Sequence, residues 1–342
     1  GLGDVYKRQE QQRAVEADWD FIGPSTSIPS SPTVNFNGLG RLNRIAFHPT
    51  DPNTIYAGAP AGGLWKSTND GGSWTNISDN LPSIGISGIV INYGNPDIIW
   101  VLTGDGDTNF GGRLDALGYT RMSAGVFKSF DGGESWKKTG DLPTGGVAYS
   151  GYQLAQDPEN PNTLLAATSI GLFRTTTGGI TWTQLTNTLT YDVEFAPGNG
   201  DRVYTSLLGG YQYSIDGGDT WLGGSFDFPL CGGGRVEIAV DQINVGHVYL
   251  LAGPSTATGQ FCGLWRSTNS GATFTRRTNT PNILGRSPSG NDNQDQQLYD
   301  LCVAAQSGVV ITGGLAVWRS TNGGITMTAS TGFHEDSLAQ YI

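Results

Sequence analysis

The sequence predicts an all-β protein, a β-propeller built from four-stranded antiparallel blades, and three observations lead to this prediction. An eight-residue pattern with a central glycine, ending in Trp, Phe or Met, recurs six times. Successive copies are roughly 40 to 60 residues apart, which is the length of four short strands with their turns. The chain also contains 52 glycines and only 14% charged residues, which is typical of short strands joined by tight turns.

The clearest copy of the pattern is Ser129–Trp136, which reads Ser-Phe-Asp-Gly-Gly-Glu-Ser-Trp. Alternating apolar residues on either side of an Asp/Asn-x-Gly turn are typical of a β-hairpin, and glycine supplies the positive φ of the turn. We interpret the Asp or Asn as a turn-forming group and the final residue as a small core that packs back on its own hairpin. A catalytic carboxylate would not recur around a fold, nor be replaced by Thr177 in the third copy. The residues assigned this structural role are Asn69, Trp74, Asp131, Trp136, Asp216 and Trp221.

Each repeat predicts four strands in the same order. An inner strand comes first, and a second strand follows a turn that often contains Pro and Asn. An apolar-aromatic-basic triplet, such as Leu64–Lys66, starts the third strand, and the repeated turn leads into the fourth. The predicted inner strands are Arg44–Phe47, Gly88–Ile91, Gln153–Gln156, Asp192–Phe195, Glu237–Val240 and Asp300–Val303.

The pattern S-x-D/N-x-G-x-S/T-W resembles the Asp-box, or BNR repeat, of sialidases, sortilin-type domains, xyloglucanase-like glycoside hydrolases and photosystem assembly factors. The resemblance extends from about Trp19 to the end of the sequence. In those families the motif closes the two outer strands of a propeller blade, so the resemblance implies six Asp-box blades here. It leaves the function open, because this fold serves enzymes and binding proteins alike.

Both ends of the sequence lie outside the six repeats. Residues 1–18 are interpreted as a non-native or disordered segment, because Gly1–Gln9 matches nothing in the repeat. The propeller is assigned to residues 19–342. Ser337–Tyr341 resembles the first strand of a seventh blade. We therefore interpret the chain as a fragment of a protein with at least seven blades.

Three long insertions separate predicted strands, at Gly104–Met122, Gly253–Phe261 and Arg277–Gln297. They lie between strands two and three of a blade, or between blades, and these connections emerge on one face of a propeller. We call it the insertion face and expect it to be the binding surface.

Alignment of the inner strands places charged and amide residues at the mouth of the central channel on this face. They could form a polar ligand-binding pocket, or they could cap the channel through salt bridges and ordered water. The candidate ligand-binding residues, including nearby ones, are Arg41, Arg44, Asp105, Asp107, Gln153, Asp192, Arg235, Glu237 and Asp300.

No cofactor is predicted. Asp105 and Asp107, and the run Asn291, Asn293 and Asp295, are oxygen-rich clusters that could hold calcium or form solvated polar loops. Cys231 and Cys262 could form a disulfide or remain small buried thiols.

Single positions in the sequence bear on two enzyme classes, the sialidases and the xyloglucanases. A sialidase has an early Arg-Ile-Pro, and the nearest match here, Arg44-Ile45-Ala46, lacks the proline. Gly40–Trp65 is more similar to the first propeller of a xyloglucanase, where a catalytic Asp precedes a Gly-Gly-aromatic strand. Pro60 occupies that position here and cannot transfer a proton. An inverting glycosidase needs two carboxyl groups.

The first hypothesis for function is therefore a secreted or cell-surface binding module for a polysaccharide or protein, without catalysis of its own. The alternative is a xyloglucanase-like glycoside hydrolase or an inactive relative. A net charge of −11 disfavours nucleic acid and anionic membranes as partners, and no apolar run is long enough to span a bilayer. Residues 40–82 and 298–328 resemble the propellers of Bacteroidota-type secreted proteins that carry a type IX sorting domain, which implies export.

Overall fold

The computed structural model describes 42–108, 121–208, 210–227, 234–254, 261–285, 287, 289–293, 301–314 and 316–330. These residues belong to one compact unit, Arg41–Ile342. Residues 1–18, the predicted seventh-blade strand, and the candidate residues Arg41 and Asp300 lie outside the described part of the chain.

The described residues form six β-sheets, and within each sheet four consecutive strands pair antiparallel in chain order. Blades one to three are β1–β4 (Arg44–Phe47, Ile55–Ala59, Gly63–Ser67, Thr75–Asn76), β5–β8 (Ile86–Ile91, Ile99–Thr103, Val126–Ser129, Lys137–Lys138) and β9–β12 (Gly151–Gln156, Leu164–Thr168, Gly171–Thr175, Thr183–Thr186). Blades four to six are β13–β16 (Thr190–Ala196, Asn199–Leu207, Gly210–Ser214, Leu222–Gly223), β18–β21 (Val236–Val240, Val248–Ala252, Gly263–Ser267, Thr273–Thr278) and β22–β25 (Cys302–Gln306, Val309–Gly313, Val317–Ser320, Thr328–Ala329).

The inner strands β1, β5, β9, β13, β18 and β22 lie side by side in this order around a central channel. The helical structure in the described residues is one 3₁₀ turn, Gly106–Thr108. The predicted β-propeller with six four-stranded blades is therefore confirmed.

Blade five departs from the prediction by one strand. A short additional strand, β17 (Ser225–Phe226), pairs parallel to β21 and extends this sheet to five strands. The Phe226 ring stacks on Phe274 at 5.1 Å between centroids. An apolar residue in the connection between blades therefore covers the outer edge of blade five.

The predicted start of the sixth inner strand is wrong by two residues. The strand is Cys302–Gln306, and Cys302 pairs with Gly313 as Arg44 pairs with Gly58 in blade one. Sequence alignment favoured Asp300 because an acidic residue also starts the inner strands of blades four and five. The hydrogen-bond register assigns that place to Cys302.

The core consists of apolar layers between successive blades. Each layer combines one face of a blade with the facing surface of the next, as Tyr56 and Leu64 of blade one pack with Ile89 and Phe127 of blade two. Trp265 and Trp100 are fully buried in equivalent layers. Burial of such a side chain contributes about 1.5–3 kcal/mol, so these layers hold the ring together.

The six copies of the pattern form tight turns, which we call repeat turns. In the second, Ser129 Oγ accepts the Gly133 amide at 2.8 Å, and Asp131 accepts the Ser135 amide at 2.8 Å and its hydroxyl at 2.5 Å. The Ser135 bonds in particular lower the pKa of Asp131 to about 2. Asp216 makes the same contacts with Thr220, so both carboxylates accept hydrogen bonds within their own turns.

Each repeat turn lies beside the turn between strands one and two of its own blade. The Gly132 amide donates to Asp97 O, and the Gly217 amide donates to Asp201 O, both at 2.9 Å. The connections between strands two and three consequently emerge on the opposite side. This arrangement agrees with the predicted separation of the insertion face from the repeat turns.

Repeat turns also join neighbouring blades, a role that the sequence interpretation missed. The Trp136 indole N–H donates to Ile77 O of the preceding blade at 2.7 Å. In the other direction, Lys66 donates to Gly132 O of the following blade at 3.3 Å, and Arg174 donates to Gly217 O at 3.1 Å. The interpretation of the tryptophan as a core of its own hairpin was therefore incomplete, because the pattern also fastens one blade to the next.

Candidate functional site at the mouth of the central channel

Inner strands position the candidate residues, since the same place in the register recurs in every blade. That place is occupied by Arg44, Gly88, Gln153, Asp192, Glu237 and Cys302, which pair respectively with Gly58, Leu102, Ala167, Ser206, Leu251 and Gly313. The sequence alignment was correct for five of the six blades. Four of the predicted site residues thus lie at one level of the channel.

Arg235 is a buried charge at the centre of this cluster, with 2% of its surface exposed. Its guanidinium forms ion pairs with Asp107 at 2.7 Å and with Glu237 at 2.6 Å. It also lies over the Tyr191 ring, 5.9 Å from the centroid. Two carboxylates from different blades therefore share one buried arginine.

Arg44 connects blade one to blade three. It donates to Tyr152 O at 2.6 Å and to the amide oxygen of Gln153, and Gln153 donates to Glu194 at 3.3 Å. A chain of polar contacts thus crosses the channel from blade one to blade four.

Asp105 and Asp107 lie in the turn after β6, at the start of the insertion Gly104–Met122. Asp105 is fully buried and accepts hydrogen bonds from Asn43 at 3.1 Å and from the Asp107 amide at 3.2 Å. Gly106 lies against the Tyr152 ring, where a Cβ would come within 2.4 Å of a ring atom. Glycine therefore allows this turn to enter the channel mouth.

Burial changes the protonation of three carboxyl groups. It raises the pKa of Asp192 to about 6, of Glu194 to about 7 and of Glu237 to about 8. The positive charges of Arg44 and Arg235 oppose this rise but do not cancel it. Glu237 therefore mainly retains its proton at neutral pH, which a general acid also requires.

Glu194 is the residue that sequence reasoning missed. It follows Asp192 by two positions, on the same face of β13, where blades one, three and five have Ala46, Ala155 and Ala239. An acidic residue at an otherwise small position was the available signal. The first residues of the inner strands carry no sign of this second acidic position.

Arg41 and Asp300 lie outside the described residues, so their ligand binding stays a prediction. Among the described candidates, Arg44 contacts Gln153, and Arg235 contacts Asp107 and Glu237, whereas Asp192 accepts the Ile238 amide. Their ligand binding also stays a prediction. No group of three or more potential metal-ligating side chains occurs in the described part of the chain. Asp295, one of the predicted calcium ligands, lies outside it.

A separate pocket of about 330 Å³ lies on the insertion face between blades two and three. Its wall includes Ser123, Lys138, Asp141, Thr144 and Tyr149. The volume is in the range of small-molecule sites, and hydroxyl, ammonium and carboxylate groups are suited to a sugar ring.

Cys262 is disulfide-bonded, whereas Cys302 is a free thiol. Cys231, the predicted partner of Cys262, lies outside the described residues. Within the described ranges, no helix has the length and apolar character needed to cross a membrane.

The six blades of the described residues and the polar channel mouth define the class of protein, a β-propeller, and comparisons show which proteins resemble it. No protein-family model matches the chain. Xyloglucanase Xgh74A of Acetivibrio thermocellus is 25% identical over 213 residues, which are 56% of this chain and 23% of the relative. A xyloglucanase of Hypocrea jecorina is 26% identical over 181 residues, or 48% of this chain and 20% of the relative. The chain thus spans about a quarter or less of these relatives.

Solved structures support the fold. The GH74 xyloglucanase of Xanthomonas campestris aligns with a TM-score of 0.63 and 19% identity, over 85% of this chain and 45% of that one. A complex described as YCF48 bound to D1 peptide aligns with a TM-score of 0.57 and 14% identity, over 85% of this chain and 82% of that one. At such low identity the likeness concerns the propeller architecture.

Proposed function

We propose that this chain is a propeller of a xyloglucanase-like glycoside hydrolase and that its insertion face binds the polysaccharide. The observation that carries the proposal is the sequence similarity to xyloglucanases over 56% of the chain. This similarity favours the glycoside hydrolase over the first hypothesis of a binding module without catalysis. The pocket between blades two and three provides a place for a sugar ring on the same face.

The chemistry of this propeller sets a limit on its role. Pro60, at the place of the expected catalytic Asp, lies in the turn between β2 and β3. Gly85 lies between Pro60 O and Gly104, where a Cβ would come within 3.0 Å of both. The turn that carries Asp105 and Asp107 is therefore next to the turn of Pro60. Asp105 accepts a hydrogen bond from Asn43, and Asp107 forms an ion pair with Arg235. We infer that this propeller contributes substrate binding and that bond cleavage depends on carboxyl groups elsewhere in the longer protein.

Export is part of the proposal. A disulfide at Cys262 is typical of proteins in oxidising compartments, and a polysaccharide too large to enter a cell requires an enzyme outside it. The resemblance to Asp-box propellers of secreted proteins with type IX sorting domains supports the same location.

The test is a panel of polysaccharides offered to the full-length gene product. Xyloglucan, mixed-linkage β-glucan, carboxymethylcellulose and xylan are compared by affinity gel electrophoresis and by release of reducing ends. We expect retardation and reducing ends with xyloglucan. Retardation without reducing ends would support the binding-module hypothesis instead. The absence of both retardation and reducing ends with every β-glucan would refute the proposal.

A further inference from the structure

One position in the outer strand of the blades has a different role in blade two. Lys138 occupies the place that Asn76 has in blade one and Gln184 in blade three, since each pairs with the aromatic residue of the third strand. The Asn76 side chain donates to Gly62 O at 3.2 Å, and the Gln184 side chain donates to Ile170 O at 3.0 Å. In both blades the amide thus fastens the short turn between strands two and three.

Lys138 makes a different contact. Its ammonium pairs with Asp141 at 2.5 Å, in the connection from blade two to blade three. Its stem lies over Gly125, where a Cβ would come within 2.9 Å of the Lys138 Cε. Next to Asp141, Leu142 is 6% exposed and packs in the layer between the two blades, which anchors the connection. A position that serves the fold in blades one and three therefore carries a charge pair in blade two.

This pair lies in the wall of the pocket between blades two and three. Lys138 and Asp141 are the charged residues among the described residues that line it, so the charges of the wall balance. Their side chains are 46% and 79% exposed, which leaves both groups open to a ligand. Leu142 and Tyr149 give the same wall an apolar part.

A tight turn forms another edge of the pocket. The Val147 amide donates to Thr144 O at 3.2 Å, and the two residues between them, Gly145 and Gly146, have φ angles of 63° and 86°. Positive φ at both central residues is what a type I′ turn requires. A Cβ on either glycine would meet no atom within 4 Å, so this edge presents open backbone to the pocket.

We propose that the pair of Lys138 and Asp141 determines the specificity of this pocket, by binding adjacent hydroxyls of a neutral sugar residue and excluding uronic acids. The ammonium donates to one hydroxyl oxygen, and the carboxylate accepts the proton of the next hydroxyl. A sugar carboxylate would instead lie beside Asp141, where the charge of Lys138 is already neutralised. The inference rests on the proposed function, because the polysaccharide brings the sugar to this face.

Two forms of one polymer test the proposal. Xyloglucan, and xyloglucan whose primary alcohols have been oxidised to carboxylates, are immobilised, and binding of the full-length gene product is measured by biolayer interferometry. We expect the unsubstituted protein to bind xyloglucan at least tenfold more tightly than the oxidised polymer. Asp141→Asn should weaken binding to xyloglucan at least fivefold and strengthen binding to the oxidised polymer at least fivefold, because it leaves the ammonium free for a carboxylate.

Asp219→Asn is the matched control, since it makes the same change of charge in the exposed pair with Arg174, in a repeat turn on the opposite face. It should change neither dissociation constant more than twofold. Lys138→Met combined with Asp141→Asn should abolish the gain on the oxidised polymer.

The outcomes separate this inference from the proposed function. If the unsubstituted protein binds xyloglucan but also binds the oxidised polymer equally well, the inference is overturned alone. The same holds if Asp141→Asn behaves like Asp219→Asn, or if the gain persists in the double variant. If the unsubstituted protein does not bind xyloglucan, the proposed function is overturned and the inference with it.

Discussion

Replacement of Arg235 by methionine should destabilise the protein more than any comparable surface change. The substitution keeps most of the aliphatic stem but leaves Asp107 and Glu237 without the guanidinium that lies 2.7 and 2.6 Å from them. Removal of one partner from a buried ion pair costs about 3–5 kcal/mol, which is a large part of the ~5–15 kcal/mol that stabilises a typical domain.

The expected loss depends on pH. Burial raises the pKa of Glu237 to about 8, so above this pH the substituted protein must hold an unpaired carboxylate or take up a proton. At pH 5 the same carboxyl is neutral and its loss of a partner costs less. The free energy of unfolding, measured by urea titration at pH 5 and pH 8.5, should therefore fall more at the higher pH.

Arg174→Met is the matched control. Arg174 pairs with Asp219 at 2.7 Å, but the two side chains are 23% and 63% exposed, so the pair contributes at most about 1 kcal/mol. If the Arg235 substitution cost no more than this control, or cost more at pH 5 than at pH 8.5, the channel cluster would not be the buried network described above.

Three further predictions concern the joints between blades, the acidic cluster and the disulfide. Trp136→Phe removes the indole bond to Ile77 O and should cost about 1 kcal/mol in urea unfolding, whereas Trp74→Phe should cost less because Trp74 is 39% exposed; equal losses would contradict this. The pKa of Glu237 is raised from 4.5 to about 8, so its stabilising contribution is complete below pH 4.5 and is lost as the pH rises through 8. Glu237→Gln should therefore flatten the decline of the melting temperature between pH 5 and pH 9, and an unchanged decline would assign it to other groups. Cys262→Ser should lower the stability of the oxidised protein by about 2–5 kcal/mol, and a similar loss in excess dithiothreitol would show that something other than the disulfide is responsible.

The sequence was sufficient to predict the fold because the repeat turn is a local structure. Ser129 and Asp131 accept hydrogen bonds from amides within the same eight residues, so residues of the pattern itself determine the shape of the turn. The period between copies then fixes four strands per blade. The first inner strand, Arg44–Phe47, agrees with the prediction at both ends.

Contacts between blades could not be predicted in the same way. The bond from Trp136 to Ile77 O and the parallel pairing of β17 depend on how one sheet lies against another structure distant in sequence. Asp300 was assigned a place that belongs to Cys302, because an acidic side chain was given more weight than register. The contacts within the candidate site could not be predicted from the sequence, because Arg235 pairs with a carboxylate of another blade.

The most direct test of the polysaccharide-binding face is a pair of tryptophan substitutions studied by affinity electrophoresis on xyloglucan. Thr144→Trp fills the pocket between blades two and three, and Ile180→Trp adds the same bulk to a repeat turn where Ile180 is 76% exposed. We expect the first substitution to weaken retardation at least tenfold and the second to leave it unchanged. Equal retardation of both variants, or loss of retardation only with Ile180→Trp, would place the binding surface elsewhere.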